Sequence, residues 1–420
     1  MANNINNIAS VSMEADLNVD IDAEANTIIQ PQSNILTGEC TLELCDYIPS
    51  FPVSMSCVND DEHQSINDKK MDMNFWVCKE TGIIQIKPIP SLEDIYIDAH
   101  NTSYGKVWND LFDLFVNSLG KYLLHQSQCQ ARKINVVEIG GGSLLLASKI
   151  FNRYDDIINS YTVFEKNIST KYIEDKRINV INQYFNEYTL IAETPDLIIH
   201  SHVLEHVWNP IAFIQSIAKI CNASTLHCFI APNLQITFNK MYTNALNFEH
   251  NFYIIEPYID TILHNNNFKT IEKVEYIDHS LLYFTQLRAI TNIPIRIQFP
   301  NLYEQNKRSV MNFFMYHRDL VKSLNERIST INVDVPIYLF GAHIFSQYLL
   351  CFGLNCSRIR CVLDNSPQKC GKRLYGTNMI VNNPNVIRND DKCVVILKAA
   401  SYQSEIAYQL ISINSNVQII

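Results

Sequence analysis

The sequence has few cysteines, no excess of positive charge and no long apolar run. Twelve cysteines among 420 residues are far fewer than a disulfide scaffold carries. The formal net charge of −10 argues against a nucleic-acid backbone or an anionic membrane as the main partner. No uninterrupted apolar stretch approaches the roughly 18 residues of a transmembrane helix. Because the first 35 residues are polar and unlike a signal peptide, we expect free thiols and a cytoplasmic protein.

The length and hydrophobic content predict a globular protein with several parts. With 420 residues, of which 47 % are hydrophobic and 18 % charged, the chain is long for one domain. Residues 1–35 show no sustained period and are expected to form a disordered tail. The remaining chain is predicted to contain a small irregular cysteine-containing N-terminal module (36–100), a central α/β domain (101–300), a helical connector (301–332) and a smaller α/β unit (333–420).

Three consecutive glycines near the middle of the chain are its most informative feature. The apolar run Ile134–Ile139 ends at residues 140–142, and a second apolar run closes on Glu165, 25 residues after Gly140. In a doubly wound sheet, such glycines let the backbone turn tightly towards a ligand, and the acid accepts hydrogen bonds from ribose hydroxyls. The order predicts a Rossmann-like fold with a site for an adenosine-containing cofactor. The alternative is a tight strand-to-helix turn without a ligand.

The residues around the glycines favour one cofactor class. A dinucleotide fingerprint requires a third glycine where this chain has Leu145, which disfavours a nicotinamide oxidoreductase. Methyltransferases commonly carry acid-x-Gly-x-Gly-x-Gly, which is matched here by Glu138, Gly140 and Gly142 but ends on Leu144. S-adenosylmethionine has no pyrophosphate, so the demand for the third glycine is relaxed. S-adenosylmethionine is therefore the expected cofactor.

A second strand–turn–helix pattern lies near the C-terminus. The segment Val335–His343 contains one glycine, Gly341, and Asp364 follows that glycine by 23 residues. Val394–Leu397 has the pattern of a further buried strand. Because only one glycine is present, a structural role is favoured over a mononucleotide site.

A buried strand over residues 196–200 runs into a group of polar residues that could do chemistry. Ligands in open α/β sheets lie beyond the carboxyl ends of strands. His202, Glu205 and His206, which follow Ser201, are therefore predicted to lie where cofactor and substrate meet. Each alone is more often an ordinary surface or core residue.

Glu249 and His250 lie among aromatic residues and form a candidate acid–base pair. Imidazole titrates near neutrality, and a neighbouring carboxylate can orient it. The alternative is an ordinary helix start with both side chains exposed. In the N-terminal module, Glu43 and Thr81 stand where zinc knuckles would have second cysteines, so no metal ligand is predicted.

Taken together, these segments resemble the three-domain sugar C-methyltransferase family over about residues 37–420. The succession of SHVLEH, FEH, FGAH and LDN is much more specific than VEIGGG alone. The matching pieces are CKETGIIQIKP from Cys78, VVEIGGG from Val136, SHVLEHVWNP from Ser201, APN from Ala231, FEHNFY from Phe248, LFGAH from Leu339 and VLDNSPQKCGKRLYGT from Val362.

The resemblance implies methylation of a nucleotide-linked deoxy- or amino-sugar in glycan precursor biosynthesis, and it leaves carbon or oxygen open as the acceptor atom. It implies that Glu249 and His250 lie at the sugar and that His202 lies near both ligands, with Tyr104 as a further catalytic candidate. The predicted cofactor-binding residues are Glu138, Gly140, Gly141, Gly142, Glu165, Phe185, Ser201 and His202. A non-catalytic cofactor- or nucleotide-binding protein is the alternative, and the sequence leaves the sugar, the position and the oligomeric state open.

Overall fold

Three main sheets organise the part of the chain that the structure describes. The computed structural model describes residues 33–39, 41–59, 65–95, 105–130, 132–166, 175–191, 193–288 and 296–420. The predicted tail lies almost wholly outside these ranges, as does Tyr104. Within them, no helix combines the length and the apolar character that crossing a membrane requires.

The N-terminal module contains a three-stranded antiparallel sheet of order β1-β3-β4. The module was predicted to be irregular, and it is more regular than expected. Bulges after Leu44 and Ile48 shift the register of β1. Buried and exposed residues therefore do not alternate regularly along this strand, and the sequence lacks the usual pattern of a strand. Its strands are β1 (Leu42–Pro52), β2 (Cys57–Val58), β3 (Lys70–Cys78) and β4 (Ile84–Lys87).

The central sheet has seven strands in the order β10-β11-β9-β8-β5-β6-β7. Of these seven strands, β5 has the bounds of the apolar run Ile134–Ile139, and β8 lies where the buried strand over residues 196–200 was predicted. They are β5 (Ile134–Ile139), β6 (Ile158–Phe164), β7 (Ile178–Ile181), β8 (Leu197–Ser201), β9 (Leu226–Pro232), β10 (Phe268–Tyr276) and β11 (Ser280–Leu287).

The order of these strands fixes where a ligand can bind. Strands β5 to β9 are parallel and doubly wound, and the antiparallel β11 is inserted between β9 and β10. The chain leaves β5 towards β6 and later returns to the other side of β5 as β8. A crevice therefore opens beyond the carboxyl ends of β5 and β8. Gly140 follows the first of these strands and His202 follows the second.

Helices pack on both faces of the central sheet, which explains its apolar strands. Val137 and Ile139 belong to one buried cluster, and Ile134 and Val136 belong to another. A strand covered on both faces reads as a continuous apolar run. The α-helices are α1 (Leu92–Ile95), α2 (Lys106–Gln130), α3 (Leu145–Tyr154), α4 (Pro210–Ile220), α5 (Leu234–Asn239), α6 (Glu256–Asn265), α7 (Tyr303–Thr330), α8 (Ile344–Cys351) and α9 (Gln403–Ile413).

The C-terminal unit contains a smaller parallel sheet of order β15-β13-β12-β16-β17. A separate short strand, β14, pairs with β2 of the N-terminal module. The strands of this part are β12 (Ile337–Phe340), β13 (Ile359–Leu363), β14 (Arg373–Leu374), β15 (Val381–Asn382), β16 (Cys393–Leu397) and β17 (Val417–Ile419).

The predicted parts are joined by buried contacts. An ion pair between Asp68 and Arg373, whose side chains are 7 % and 6 % exposed, connects the N-terminal module to the C-terminal unit. Contacts join residues 32–420 into one unit. The domain boundaries at 101, 301 and 333 therefore stay predictions.

Candidate functional site

The glycine turn after β5 is held in place by close packing. Gly140 and Gly142 have φ angles of +73° and +50°, in the left-handed region that favours glycine. A Cβ atom on Gly140 would lie 2.5 Å from Cγ2 of Val203, and one on Gly141 would lie 2.4 Å from Cγ1 of Val163. The turn thus lies directly against β6 and against the residues that follow β8.

Leu144 occupies the place of the missing third glycine, and its backbone is left-handed all the same. Its φ is +60° and its ψ is +20°, a conformation that costs an ordinary residue about 1–2 kcal/mol. The Leu144 side chain is 3 % exposed and belongs to the core. Burial of the side chain therefore offsets the backbone strain. Helix α3 starts at the next residue, Leu145.

The structure places Glu165 beside the glycine turn. The Glu165 carboxylate accepts a hydrogen bond from the backbone N–H of Gly142 over 2.9 Å. The hydroxyl of Ser143 is buried and has no hydrogen-bond partner among the described residues, so a ligand could provide one. A carboxylate for ribose hydroxyls and a free hydroxyl in a glycine turn fit the adenosyl and methionine parts of S-adenosylmethionine.

Glu138 lies beneath the turn, inside the sheet. Its side chain is 2 % exposed, and its carboxylate accepts a hydrogen bond from the Tyr161 hydroxyl over 2.6 Å. Burial raises the pKa of Glu138 to about 7, the Tyr161 hydrogen bond opposes that change, and the charge of Glu165 adds to it. Glu138 therefore supports Gly141 from below, and its predicted contact with the cofactor stays a prediction.

Phe185 lies at the same edge of the sheet. Its ring packs edge-on against Phe164, the last residue of β6, at 5.5 Å between centroids, and against Phe213 at 6.1 Å. Phe185 is half-buried, and its predicted contact with the cofactor stays a prediction.

His202 is the centre of a hydrogen-bonded network at the carboxyl end of β8. Its Nδ1 lies 3.0 Å from the Ser201 hydroxyl, and its Nε2 lies 3.1 Å from the Ser280 hydroxyl. Ser280 also contacts Nδ1 of His279 over 2.7 Å. Burial, together with His279 and His250, lowers the pKa of His202 well below its usual value. His202 is therefore a neutral hydrogen-bonding group.

The network continues to residues that the sequence analysis did not identify. Nε2 of His279 lies 3.2 Å from the Tyr402 hydroxyl, and the Trp108 ring lies 4.5 Å from the His202 ring. Ser280 pairs with Pro232 at the start of the antiparallel β11, so it comes to the edge where the parallel strands end. Only knowledge of the strand's direction could have placed it there.

Glu205, His206 and His250 form a second cluster at this edge. One ligand atom of each lies within 4.8 Å of the others, and the two imidazole rings are 4.6 Å apart between centroids. Glu205 is fully buried. In the described part of the chain, neither of its carboxylate oxygens has a hydrogen-bond partner. Burial raises the pKa of Glu205 to about 8.

The segment of Glu249 and His250 is an ordered turn that precedes α6. The backbone N–H groups of both residues donate to the Asn247 side-chain oxygen over 2.7 and 3.0 Å. Nδ1 of His250 lies 3.1 Å from the carbonyl oxygen of Asn244. Because a carbonyl only accepts, Nδ1 carries a proton, and in the neutral ring the lone pair therefore lies on Nε2. Glu249 is 6 % exposed, so the alternative of an exposed helix start is wrong.

In the corresponding turn of the C-terminal unit, the carboxylate of Asp364 is hydrogen-bonded by groups of the same unit. Asp364 accepts hydrogen bonds from the backbone N–H of Ala342 (2.9 Å), the backbone N–H of Ser366 (2.9 Å) and Nζ of Lys369 (3.3 Å). A Cβ on Gly341 would meet nothing within 4 Å. The contacts of Asp364 are those of a residue that orders its own turn.

Comparison with known proteins agrees with this geometry. Residues 112–273 match a family described as a methyltransferase domain. No curated protein sequence gives a significant match. The chain therefore contains a methyltransferase domain. It is an S-adenosylmethionine-dependent methyltransferase, and the glycine turn, Glu165, His202 and the cluster of Glu205, His206 and His250 lie within the matched residues, whereas His279, Ser280 and Tyr402 lie beyond them.

Solved structures of methyltransferases show weak likenesses to the chain. The N-methyltransferase NodS from Bradyrhizobium japonicum WM9 has 18 % identity, covers 41 % of this chain and 97 % of its own, and has a TM-score of 0.30. A 1,6-didemethyltoxoflavin-N1-methyltransferase from Burkholderia thailandensis has 10 % identity, coverage of 46 % and 98 %, and a TM-score of 0.31. An S-adenosylmethionine-dependent methyltransferase from Clostridium acetobutylicum ATCC 824 has 7 % identity, coverage of 43 % and 98 %, and a TM-score of 0.31.

Proposed function

We propose that the chain methylates a carbon or a hydroxyl of a nucleotide-linked deoxy- or amino-sugar in glycan precursor biosynthesis. One observation carries the proposal: two imidazoles suited to a polar acceptor lie close to each other, and the residue next to one of them packs on the glycine turn. His202 and His250 are close enough for His250 to affect the pKa of His202. Val203, the neighbour of His202, packs on Gly140. The succession of sequence segments that resembles sugar C-methyltransferases supports the sugar as acceptor.

The cofactor side of the site is formed by the glycine turn and Glu165. We expect Glu165 to accept hydrogen bonds from the ribose hydroxyls. The turn and the Ser143 hydroxyl would hold the methionine part, because that hydroxyl is buried and has no partner among the described residues. When bound, S-adenosylmethionine supplies an activated methyl group.

The acceptor side offers a basic nitrogen and a neutral hydrogen-bonding network. When the His250 ring is neutral, its proton lies on Nδ1, which donates to the carbonyl of Asn244, and Nε2 has the lone pair. That lone pair can take the proton of an acceptor hydroxyl, or of a carbon next to a carbonyl. The hydroxyls of Ser201 and Ser280, which His202 holds, can orient a sugar hydroxyl. Glu249 and Tyr104 stay predicted catalytic residues.

The test is transfer of a carbon-13-labelled methyl group to a panel of acceptors. The panel contains nucleotide-linked keto-, deoxy- and amino-sugars, the corresponding free sugars, and small amines as a contrasting class. We expect methylation only of nucleotide-linked sugars, and NMR of the product distinguishes a carbon-bound from an oxygen-bound methyl. Transfer to the amines or the free sugars alone would contradict the proposed substrate class.

A variant at His250 tests the acceptor side separately. His250→Ala should bind S-adenosylmethionine as the parent does and lose about 10²–10⁴-fold in turnover, the usual contribution of a positioned base. Asn244 contributes only its backbone carbonyl, so Asn244→Ala keeps that hydrogen bond and serves as the control. Equal turnover of His250→Ala and the parent would remove His250 from the reaction.

A further inference from the structure

The cluster of Glu205, His206 and His250 has the composition of a metal centre. Two residues lie in the turn after β8, and the third comes from a loop 44 residues later in the chain. Their ligand atoms lie within 4.8 Å of one another. Donor atoms that bind one ion at about 2 Å lie roughly 3.4 Å apart, so a small closure of the side chains would complete a three-ligand set.

The state of Glu205 points to a missing ligand. The residue is 0 % exposed, and within the described ranges both carboxylate oxygens are without a hydrogen-bond partner. A buried carboxyl group without a hydrogen-bond partner is costly in either protonation state, and a coordinated metal ion removes that cost. The other two members of the cluster are imidazoles. A cation between the carboxylate and the imidazoles would satisfy it.

The orientation of His250 suits coordination. Its Nδ1–H donates to the Asn244 carbonyl over 3.1 Å, which leaves Nε2 as the ligand atom. Metal-binding histidines almost always donate their other ring N–H to a carboxylate, a backbone carbonyl or water, and this fixes the tautomer. The Asn247 side chain in turn holds the His250 backbone. The ring is therefore oriented before any ion binds.

From this geometry we infer that Glu205, His206 and His250 bind one divalent transition-metal ion of the zinc type, whose open coordination position takes an oxygen of the acceptor. Two imidazoles and one carboxylate suit zinc and its neighbours, whereas magnesium and calcium prefer oxygen ligands alone. A catalytic zinc site typically has three protein ligands and one open position. The second half of the inference rests on the proposed function, because it requires a polar acceptor at this edge.

With a metal ion bound, the lone pair on Nε2 of His250 would coordinate that ion. A bound cation lowers the pKa of an oxygen that it coordinates, so the ion would hold an acceptor hydroxyl or enolate. The acceptor's proton would then pass to water, because Nε2 of His250 would be a ligand and would no longer be the base. The ion would lie close to the glycine turn, since Val203, two residues before Glu205, contacts Gly140.

Cobalt(II), the spectroscopic substitute for zinc, tests the site on the full-length protein. Protein stripped with a chelator is titrated with Co²⁺ and followed by visible absorption and calorimetry. We expect one equivalent with the ligand-field bands of nitrogen and oxygen ligands. Strong near-ultraviolet charge-transfer bands would instead report binding to some of the twelve cysteines, and would overturn the inference.

Matched variants connect the binding to the cluster. Glu205→Gln keeps the size of the side chain and removes a buried carboxylate, and His250→Ala changes a half-buried residue, so at least one of them should fold. Each should lower the Co²⁺ affinity by about 100-fold or more, since loss of supporting residues around a metal alone costs 10–100-fold. Glu249→Gln changes the neighbouring buried carboxylate and should leave the affinity unchanged. Parent-like Co²⁺ binding by both cluster variants would overturn the inference.

Methyl transfer is measured in parallel with the stripped and the reloaded protein. Stoichiometric cobalt binding without transfer to any sugar nucleotide would leave the metal site standing and contradict the proposed function. Transfer that proceeds equally well in the stripped protein, with no Co²⁺ bound, would contradict the metal site and leave the proposed function standing.

Discussion

The buried carboxyl of Glu138 gives the folded protein a pH dependence that can be calculated. Burial raises its pKa from the ordinary value of 4.5 to about 7. Since the folded pKa lies above the unfolded one, the stabilising contribution is complete below pH 4.5 and is lost as the pH rises through 7. The gap between the two pKa values, at about 1.4 kcal/mol per pKa unit, corresponds to about 3 kcal/mol. About 2.5 kcal/mol of this falls between pH 5 and pH 8.

Glu138→Gln removes the titration and keeps the local contact. A glutamine side chain has nearly the same shape, and its amide oxygen can accept the hydrogen bond of the Tyr161 hydroxyl. The free energy of unfolding of the parent and the variant is measured with urea at pH 5 and at pH 8. Between pH 5 and pH 8, the free energy of unfolding of the variant should rise by about 2.5 kcal/mol relative to that of the parent.

A second variant identifies the carboxyl as the source of the effect. Tyr161→Phe removes the hydrogen bond that lowers the pKa of Glu138, so the loss of stability should extend to higher pH than in the parent. If the free energies of unfolding of Glu138→Gln and the parent change by the same amount from pH 5 to pH 8, Glu138 does not titrate in this range. Its burial beneath the glycine turn then does not raise its pKa as stated.

Three further variants test the backbone, the packing and the cofactor site. Leu144→Gly should be about 1 kcal/mol more stable than Leu144→Ala in urea unfolding, because only glycine accepts a φ of +60° without strain; an equally stable alanine variant would contradict this. Asp68→Asn should lose about 3–5 kcal/mol of unfolding free energy, because it removes the charge that balances the buried cation of Arg373. A loss below about 1 kcal/mol, the usual value of a surface ion pair, would show that the pair is hydrated. Glu165→Ala should weaken S-adenosylmethionine binding in calorimetry by about 1.5–3 kcal/mol, the value of hydrogen bonds to a charged group; unchanged affinity would place the ribose elsewhere.

The central sheet could be predicted from the sequence because its strands are covered on both sides. Strand β5 reads as a continuous apolar run, and its bounds were predicted as the structure has them. The approach of Glu165 to the glycine turn follows from the strand–helix–strand geometry that the spacing indicates. The N-terminal sheet has no such signal, because the bulges in β1 after Leu44 and Ile48 break its alternation.

The network around His202 could not be predicted because it depends on the direction of a distant strand. Ser280 and His279 lie 78 and 77 residues after His202, at the start of β11 and just before it, and the sequence of this strand does not reveal that it runs antiparallel. Tyr402 lies further still, in the C-terminal unit. Contacts of this kind depend on topology, which local patterns of apolar and polar residues do not encode.

The three histidines after Ile199 show how one run of sequence is divided among different roles. His200 still belongs to β8, is 0 % exposed, and lies with its Nε2 3.2 Å from that of His227 in the core. At His202 the φ angle of +53° ends the strand and brings that ring to the edge of the sheet. The following turn places His206 beside His250. Because the backbone leaves the strand between the first and second histidine, a change at His200 acts through packing, whereas changes at His202 and His206 act at the site.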